Sequence, residues 1–526
     1  MDTDILIVGA GPTGLMLANQ LVRRGVRAII IDRHAGPSRE TRALGVQART
    51  LEIYSHLGIV DRALELGKRG TGGNIWAGGQ RRARVALSDA GDQVTPYPFL
   101  LILGQDDNEL IMGDHLRELG CAVQWSTELV SLEQQTDSVI AALKSPDGSQ
   151  RSIRAAWVAG CDGARSVVRG SCGITFAGAA YEHVFFVADV EMAGTMVPDE
   201  VNVYLFRNGF HLLFPMRGKD HWRIAGILPT ALRDKSDLKF DAVIPSLHNE
   251  ASEGFSIKSC SWFSTYRIHH RRAARFRDRR CFLLGDAAHI HSPVGAQGMN
   301  TGLQDAYNLA WKLALVVQNQ AKPALLDSYE DERIPVAQAL LNGTDRAFRL
   351  VVSDTWFAGM LRSKILARVA AFAVNRKVTQ RMAFRTISQT GIGYPKSSLS
   401  KTLRGLPDSA PQAGDRFPWL RLKLAANSPV EDLFQKSDDT KFNLILIGQH
   451  LPSKEGLDFG DLLQVYAIPP DPANNQELTR AQIPQPSFYL VRPDGYVGLC
   501  GTQFEASGLR AYLAGNISCN LGQSKG

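Results

Sequence analysis

The sequence predicts an α/β fold built on a parallel sheet, and three observations predict it. A short apolar run, Asp4-Ile5-Leu6-Ile7-Val8, leads straight into the loop Gly9-Ala10-Gly11-Pro12-Thr13-Gly14, as a buried parallel strand feeding a helix should. A helical pattern from Leu15 to Arg24 then stops at Gly25, and a second strand from Arg27 to Ile31 ends in Asp32. Far along the chain a second glycine-marked segment runs Gly285-Asp286-Ala287-Ala288-His289 and on through Gly295-Ala296-Gln297-Gly298-Met299-Asn300.

The first unit reads as a Rossmann-like dinucleotide site. Gly9 permits the tight turn, Gly11 lets backbone approach a pyrophosphate, and Gly14 lets the helix pack close to the strand. Pro12 and Thr13 open the helix, whose N-terminus faces the phosphates. Asp32 lies 23 residues after Gly9, the place of a carboxylate on the adenosine ribose. In the second segment, a buried acid at Asp286 followed by a glycine-rich helix start suits the ribityl and ring end of FAD; an acid at that position also reads as a helix cap. Between them stands Ala159-Gly160-Cys161-Asp162-Gly163-Ala164-Arg165-Ser166. The three together indicate a flavin enzyme.

Composition sets the class. The 526 residues carry 59 Lys plus Arg against 52 Asp plus Glu, a net charge of +7 that favours an anionic cofactor or acidic substrate but falls far short of a nucleic-acid-binding balance. The seven cysteines are scattered, with neither Cys-x-x-Cys nor metal-ligand spacing, which fits a reducing cytoplasm and no metal site. The apolar stretch from Trp356 to Val374 is interrupted by Arg362, Lys364 and Arg368, so it reads as an amphipathic helix and not a membrane span.

The remaining elements follow in order. An alternating, Gly-rich stretch from Thr71 to Tyr97 reads as β-structure, residues 105–120 as a helix and Cys121 to Ala142 as strands. From His183 to Ser264 the pattern is again β-rich. Val201–Phe206 and Phe210–Phe214 flank Asn208-Gly209, a two-residue hairpin signal, with Trp222 to Leu228 continuing the meander. That pairing sets Phe206 opposite His211 and Tyr204 opposite Leu213; these four share one face, and Val203, Leu205, Leu212 and Phe214 the other. A basic stretch, Arg267 to Arg280, precedes the strand Cys281–Leu284. Helical patterns run from Thr301 to Val317 and from Pro323 to about Ile387. The expected division is a discontinuous FAD-binding domain (1–70, 98–182 and 281–345), an inserted β-sheet substrate domain (71–97 and 183–280), a helical segment (346–392), a Pro-, Gly- and Ser-rich linker (393–416) and a separate C-terminal domain (417–526) with a hairpin at Arg492-Pro493-Asp494-Gly495.

The glycine loop, the Cys-Asp-Gly-Ala-Arg-Ser segment and the Gly-Asp-Ala-Ala-His…Gly-Met-Asn segment resemble, in order and spacing, those of the class A flavoprotein aromatic hydroxylases, the para-hydroxybenzoate hydroxylase-like family. Leu325 to Val336, with Tyr329, Glu330, Glu332 and Arg333, is similar to that family's late helical signature. Gly414-Asp415-Arg416 and Leu490 to Gly495 resemble the thioredoxin-like C-terminal domain of the family's longer members, which act on phenols and polyketides; without Cys-x-x-Cys, a scaffold or dimerisation role is expected and a homodimer is the expected assembly. The resemblance implies that Asp32 and Arg33 meet the adenosine ribose and that Arg42 and Gln105 lie along the pyrophosphate and ribityl chain. It also implies that Asp286 binds that same part, that the amides of Gly298, Met299 and Asn300 face the flavin pyrimidine edge, and that Asp162 shapes a loop shared with a transient nicotinamide. The implied reaction uses NADPH or NADH, FAD and O2 to hydroxylate an electron-rich ring through a flavin hydroperoxide.

On the substrate side, the hairpin face with Tyr204, Phe206, His211 and Leu213, joined by Pro293, pairs aromatic surface with polar tips as a phenol pocket does. Tyr204 and His211 are its candidate catalytic groups, His211 relaying the phenolic proton. The opposite face of the sheet stands as the alternative. Carbonyl insertion of the Baeyer–Villiger type, and sequestration of an aromatic ligand without turnover, also remain open. A flavin halogenase is disfavoured, because the nearest stretch to its Trp-x-Trp-x-Ile-Pro signature is Trp222-Arg223-Ile224.

Overall fold

Among the described residues, two large sheets and a small one (45–46, 100–102 and 68–70) make up the N-terminal part of the chain. In the first, Thr3–Val8 pairs in parallel with Ala28–Ile31 on one side and with Gln150–Gly160 on the other, and Cys281–Leu283 adds a further parallel strand. Both faces of these strands are covered, so they read as continuous apolar runs. Glu128–Gln134 and Val139–Lys144 extend the sheet antiparallel at Gln150–Gly160. The computed structural model describes residues 1–517 except 39–42, 207–208, 234, 236, 252–254, 292–296, 353–376 and 451–458.

The second sheet has eight strands, in the order 289–290, 255–273, 176–194, 221–227, 209–215, 201–206, 72–77 and 80–86. The early strands Gly72–Ala77 and Gln80–Ala86 thus join the later meander, and Leu87–Gly91 after them is helical. The sheet's two longest strands, Phe176–Gly194 and Phe255–Ala273, each run 19 residues, so this part of it spans 176–273 where β-structure is expected from 183. Local pattern missed this because one long bulged strand looks like two short ones; register shifts fall at 180/184 and 189/190. The hairpin register also differs. Phe206 pairs with Gly209 and Tyr204 with His211, so Gly209 belongs to the ladder and not to the turn. A slip of two residues keeps every side chain on its expected face.

The helix Gly298–Val317 lies buried almost throughout and packs against Pro12–Val22. The proline-interrupted helix Ser328–Val352 and the shorter Lys377–Ile387 follow. The expected amphipathic helix at 356–374 lies outside the described residues. Among the described residues no helix is long and apolar enough to cross a membrane.

The C-terminal sheet is ordered 401–402, 497–501, 487–491, 442–447, 463–468, with Phe442–Ile447 and Leu463–Ile468 parallel and Ser487–Val491 and Val497–Gly501 an antiparallel hairpin. Residues 393–416 are not a free linker. Lys401–Thr402 is an edge strand of this sheet, Tyr394 is buried against Arg333, and Arg416 reaches Glu52 in the first domain. Composition misled here because Pro, Gly and Ser also serve tight, packed turns.

Candidate active site

The two glycine-marked loops meet in space. A side chain on Gly9 (φ 101°) would strike the Cys161 carbonyl, and one on Gly14 would strike the Gly9 carbonyl. Among the described residues nothing lies within 4 Å of where a Cβ on Gly11 would stand, so that backbone opens onto the cleft. Gly285 (φ 57°) packs on Thr13, whose Oγ1 would be 2.7 Å from an added Cβ, and Gly302 packs on the same hydroxyl. Thr13 is therefore the contact point of the loops. Pro12 occupies the first turn of its helix.

The cleft above these loops has a volume of about 1040 Å³, room for a dinucleotide. Gly9, Gly11, Asp32, Arg33, Gln105, Asp162 and Asp286 line it, together with Glu109 and Arg165. Asp32 takes Ala10 N at 2.7 Å and His34 N at 2.8 Å, holding the loop while its carboxylate borders the cleft. Gln105 Nε2 donates to Glu109 Oε1 at 2.8 Å, and Glu109 Oε2 accepts Ser38 N at 2.8 Å; burial pushes the Glu109 carboxyl up. Asp162 Oδ2 caps the short helix Val167–Ser171 through the amides of Val167 (2.6 Å) and Val168 (3.1 Å), and burial raises its carboxyl. Its buried Oδ1 has no hydrogen-bond partner among the described residues. An open glycine backbone, a carboxylate at the far end and an unsatisfied buried oxygen suit FAD.

Asp286 differs from expectation. It is exposed on the cleft, and the buried acid is Asp305, in the second turn of Gly298–Val317. Asp305 accepts Gly285 N (3.0 Å), His289 Nε2 (2.8 Å) and Arg333 Nε (2.6 Å). Burial alone would raise its carboxyl; Arg333 and His289 outweigh that and hold it below the usual range. Gly298, Met299 and Asn300 form the first turn of this helix, whose N-terminal amides carry partial positive charge. The Asn300 side chain is buried: Oδ1 accepts Gln47 N (2.9 Å) and Thr50 Oγ1 (2.7 Å), while Nδ2 donates to the Gly45 carbonyl (2.8 Å). Arg42 and Pro293 lie outside the described residues.

The second sheet's two faces are unequal. Tyr204, His211 and Leu213 are 4 %, 1 % and 0 % exposed. Tyr204 and Leu213 join a cluster with Ile224, Phe240, Val243 and Leu247, the last three from the excursion between the strands ending at 227 and beginning at 255. Trp76 stacks on Tyr204 at 5.4 Å, and Phe206 lies 4.6 Å from the His211 ring. Burial pushes the Tyr204 hydroxyl up to about 12. The face expected to receive substrate is thus a covered core. The sequence preferred it because both faces are apolar and only one carries polar tips.

The other face meets the first domain: Val201 and Phe214 pack against Leu44, Leu100 and Ile102. Along its middle, Ile75, Val203, Leu212, Ala225, Val187 and Ser264 sit side by side on six adjacent strands, each half-buried. Phe185, Phe210 and Tyr266 flank this stripe on one side. Phe214, Trp262 and the Arg223–Asp189 pair (2.5 and 2.6 Å) flank it on the other. The basic stretch 267–280 is partly exposed; Arg280 lies over Trp157 and Arg277 pairs with Asp327.

A family profile described as "FAD binding domain" matches residues 2–344. The 6-methylpretetramide 4-monooxygenase of Streptomyces rimosus is 32% identical over 97% of this chain and 92% of its own length. The pentachlorophenol 4-monooxygenase of Sphingobium chlorophenolicum is 35% identical over 94% and 86%. The solved anhydrotetracycline hydroxylase OxyS of Streptomyces rimosus superposes with a TM-score of 0.76 at 28% identity, covering 98% of both chains. The chain belongs to the class A flavoprotein aromatic hydroxylases. It is an FAD-dependent monooxygenase with NAD(P)H as reductant.

In this hydroxylase the late helical signature is a set of struts. Tyr329 donates to the Leu283 carbonyl (2.8 Å), Glu330 accepts Phe276 N (2.8 Å), and Arg333 binds Asp305 and Tyr394. Glu332 is the node of an interdomain cluster. It accepts Arg492 Nη1 and Nη2 (2.6 and 2.9 Å), Lys312 Nζ (2.7 Å), Asn308 Nδ2 (2.6 Å) and Ser397 Oγ (2.6 Å). Arg492 also pairs with Asp494, whose carbonyl accepts Arg49 Nη2 at 2.6 Å. The C-terminal hairpin is thereby docked onto the FAD-binding fold. One sequence signal was available: Asp305 and Lys312 stand inside an apolar helical pattern, where a charge requires a partner.

Proposed function

We propose that this hydroxylase acts on an extended, fused-ring phenol of the polyketide kind, laid along the half-buried stripe from Ile75 to Ser264. The observation that carries the reading is the stripe's reach: six strands at roughly 4.8 Å spacing span about 24 Å, more than one ring needs. Small Ala225 and Ser264 keep its floor low between aromatic walls. The names of two relatives, a pretetramide monooxygenase and an anhydrotetracycline hydroxylase, agree with that scale.

The net reaction is ArH + O2 + NAD(P)H + H⁺ → ArOH + NAD(P)⁺ + H2O. Bound FAD supplies the redox chemistry that passes electrons from nicotinamide to O2 and one oxygen to the ring. The chain supplies binding and exclusion of water. Gly11, Asp32, Arg33, Gln105, Asp162 and Asp286 would hold FAD along the cleft, and the first turn at Gly298–Asn300 would meet its pyrimidine edge, favouring the charge that reduction places there. The aromatic walls would orient the phenol and keep water from it.

We read the C-terminal domain as thioredoxin-like, on its order of strand, crossover, parallel strand, helix, antiparallel hairpin and helix. Its role is support, through the docked hairpin. Scattered cysteines favour the cytoplasm.

The test is ligand titration of the FAD-loaded protein, followed by flavin absorbance, with one-ring, two-ring and four-ring phenols. Affinity rises with ring count, and Ala225→Phe weakens the four-ring ligand at least tenfold while sparing the one-ring ligand. Tyr204→Phe, on the covered face, changes affinity less than twofold. Equal loss for all ring counts in Ala225→Phe, or a large effect of Tyr204→Phe, contradicts the reading.

A further inference from the structure

We propose that Gln389 is a positioning residue that sets the flavin-facing end of the helix Gly298–Val317; the proposal rests on the reading above that this helix N-terminus meets the flavin. Gln389 follows the helix Lys377–Ile387, is 3 % exposed, and holds a left-handed backbone (φ 60°) that a residue with a long side chain rarely keeps without a reason. Its side chain supplies the reason. Nε2 donates to Thr301 Oγ1 (2.9 Å) and to the Gln297 carbonyl (3.3 Å), while Oε1 accepts Gln304 Nε2 (2.6 Å). Gln297, which caps the helix, returns a bond from Nε2 to the Thr386 carbonyl (3.1 Å).

The first turn is therefore held from two sides. On one side Asn300 binds Gly45, Gln47 and Thr50; on the other Gln389 and Thr386 bind Gln297, Thr301 and Gln304. The sides are themselves joined, because Arg49 N donates to the Ser388 carbonyl at 3.2 Å. Amides at a helix N-terminus act on an anion over short range, so their fixed placement decides how far the reduced, charged flavin is favoured over the oxidised one. Only an amide side chain can give two donors and one acceptor here; a carboxylate would face the Gln297 carbonyl and place negative charge at the helix start.

The test is the midpoint potential of the flavin in the full-length, FAD-loaded protein, with FAD affinity measured alongside. Gln389→Gly relaxes the left-handed backbone, so it folds while losing the side chain. The wild-type potential lies above that of free FAD in the same buffer. Gln389→Gly lowers it by about 30 mV, a tenfold loss in the preference for reduced flavin, and Gln389→Glu lowers it further. A wild-type potential no higher than that of free FAD overturns the helix–flavin reading. A raised wild-type potential left unmoved by both variants overturns the role of Gln389 alone. As a control, Asn474→Ala removes a buried amide of the C-terminal domain, bonded to the Lys423 and Pro469 carbonyls, and leaves the potential unchanged.

Discussion

Replacing Glu332 by Ala removes the only carboxylate that Lys312 binds and one of two that Arg492 binds, among the described residues. The four charges Lys312, Arg492, Glu332 and Asp494 balance in the folded protein, all at most 1 % exposed at the side chain. Glu332→Ala leaves a buried excess of one positive charge, and Arg492→Ala leaves one negative. Each single change should cost about 3–5 kcal/mol, the scale of breaking a buried pair from one side. The double variant restores neutrality, so its cost should fall short of the sum by at least about 2 kcal/mol. Calorimetry also reports how the domains are coupled. At roughly 2.1 cal/mol/K per residue, a loss of about 4 kcal/mol lowers Tm by about 4 °C if the whole chain melts as one unit. If residues 393–517 melt separately, the same loss brings that transition forward by about 15 °C. Additive singles, or a Glu332→Ala variant that melts within 1 °C of wild type, would refute the clamp.

Three further outcomes follow from the same geometry. Gly14→Ala forces a Cβ into the Gly9 carbonyl and should yield protein without FAD; wild-type flavin content after gel filtration would contradict this. Asp305→Asn leaves Arg333 buried beside a neutral group and should cost about 2–4 kcal/mol in thermal melts while loosening FAD, whereas an unchanged Tm would remove Asp305 from its central place. Burial pushes the Glu332 carboxyl up, but Arg492, Lys312 and their hydrogen bonds outweigh it and hold the group far below its ordinary 4.5. Its stabilisation is thus complete above that ordinary value and fades as pH falls below it, so the Tm gap between wild type and Glu332→Gln should narrow from pH 7 to pH 4. A constant gap would place the effect elsewhere.

What the sequence disclosed was local chemistry. Gly9 and Gly14 are readable because their roles depend on a few neighbouring residues, and the same holds for the strand into Gly285. The convergence of the two loops on Thr13 was implied only by their motif order. Three features were hidden. Strands apolar on both faces do not say which face is covered: polar tips point to the face of Tyr204, His211 and Leu213, yet Phe240, Val243 and Leu247 pack over it. The docking of 393–416 depends on partners such as Arg333 and Glu52, distant in sequence. The acid that organises the second loop is Asp305, two helical turns inside an apolar helix, whereas Asp286 adjoins the glycine and is exposed.

Hydroxylation is tested most directly by oxygen uptake of the FAD-loaded protein with NADPH or NADH and a panel of one- to four-ring phenols, with products analysed by mass spectrometry under labelled O2. Uptake should be stimulated by a fused-ring phenol, with one labelled oxygen placed on ring carbon. An ester or lactone carrying the label would make carbonyl insertion the reaction. A phenol that binds tightly yet stimulates no uptake and gains no label would contradict the hydroxylase.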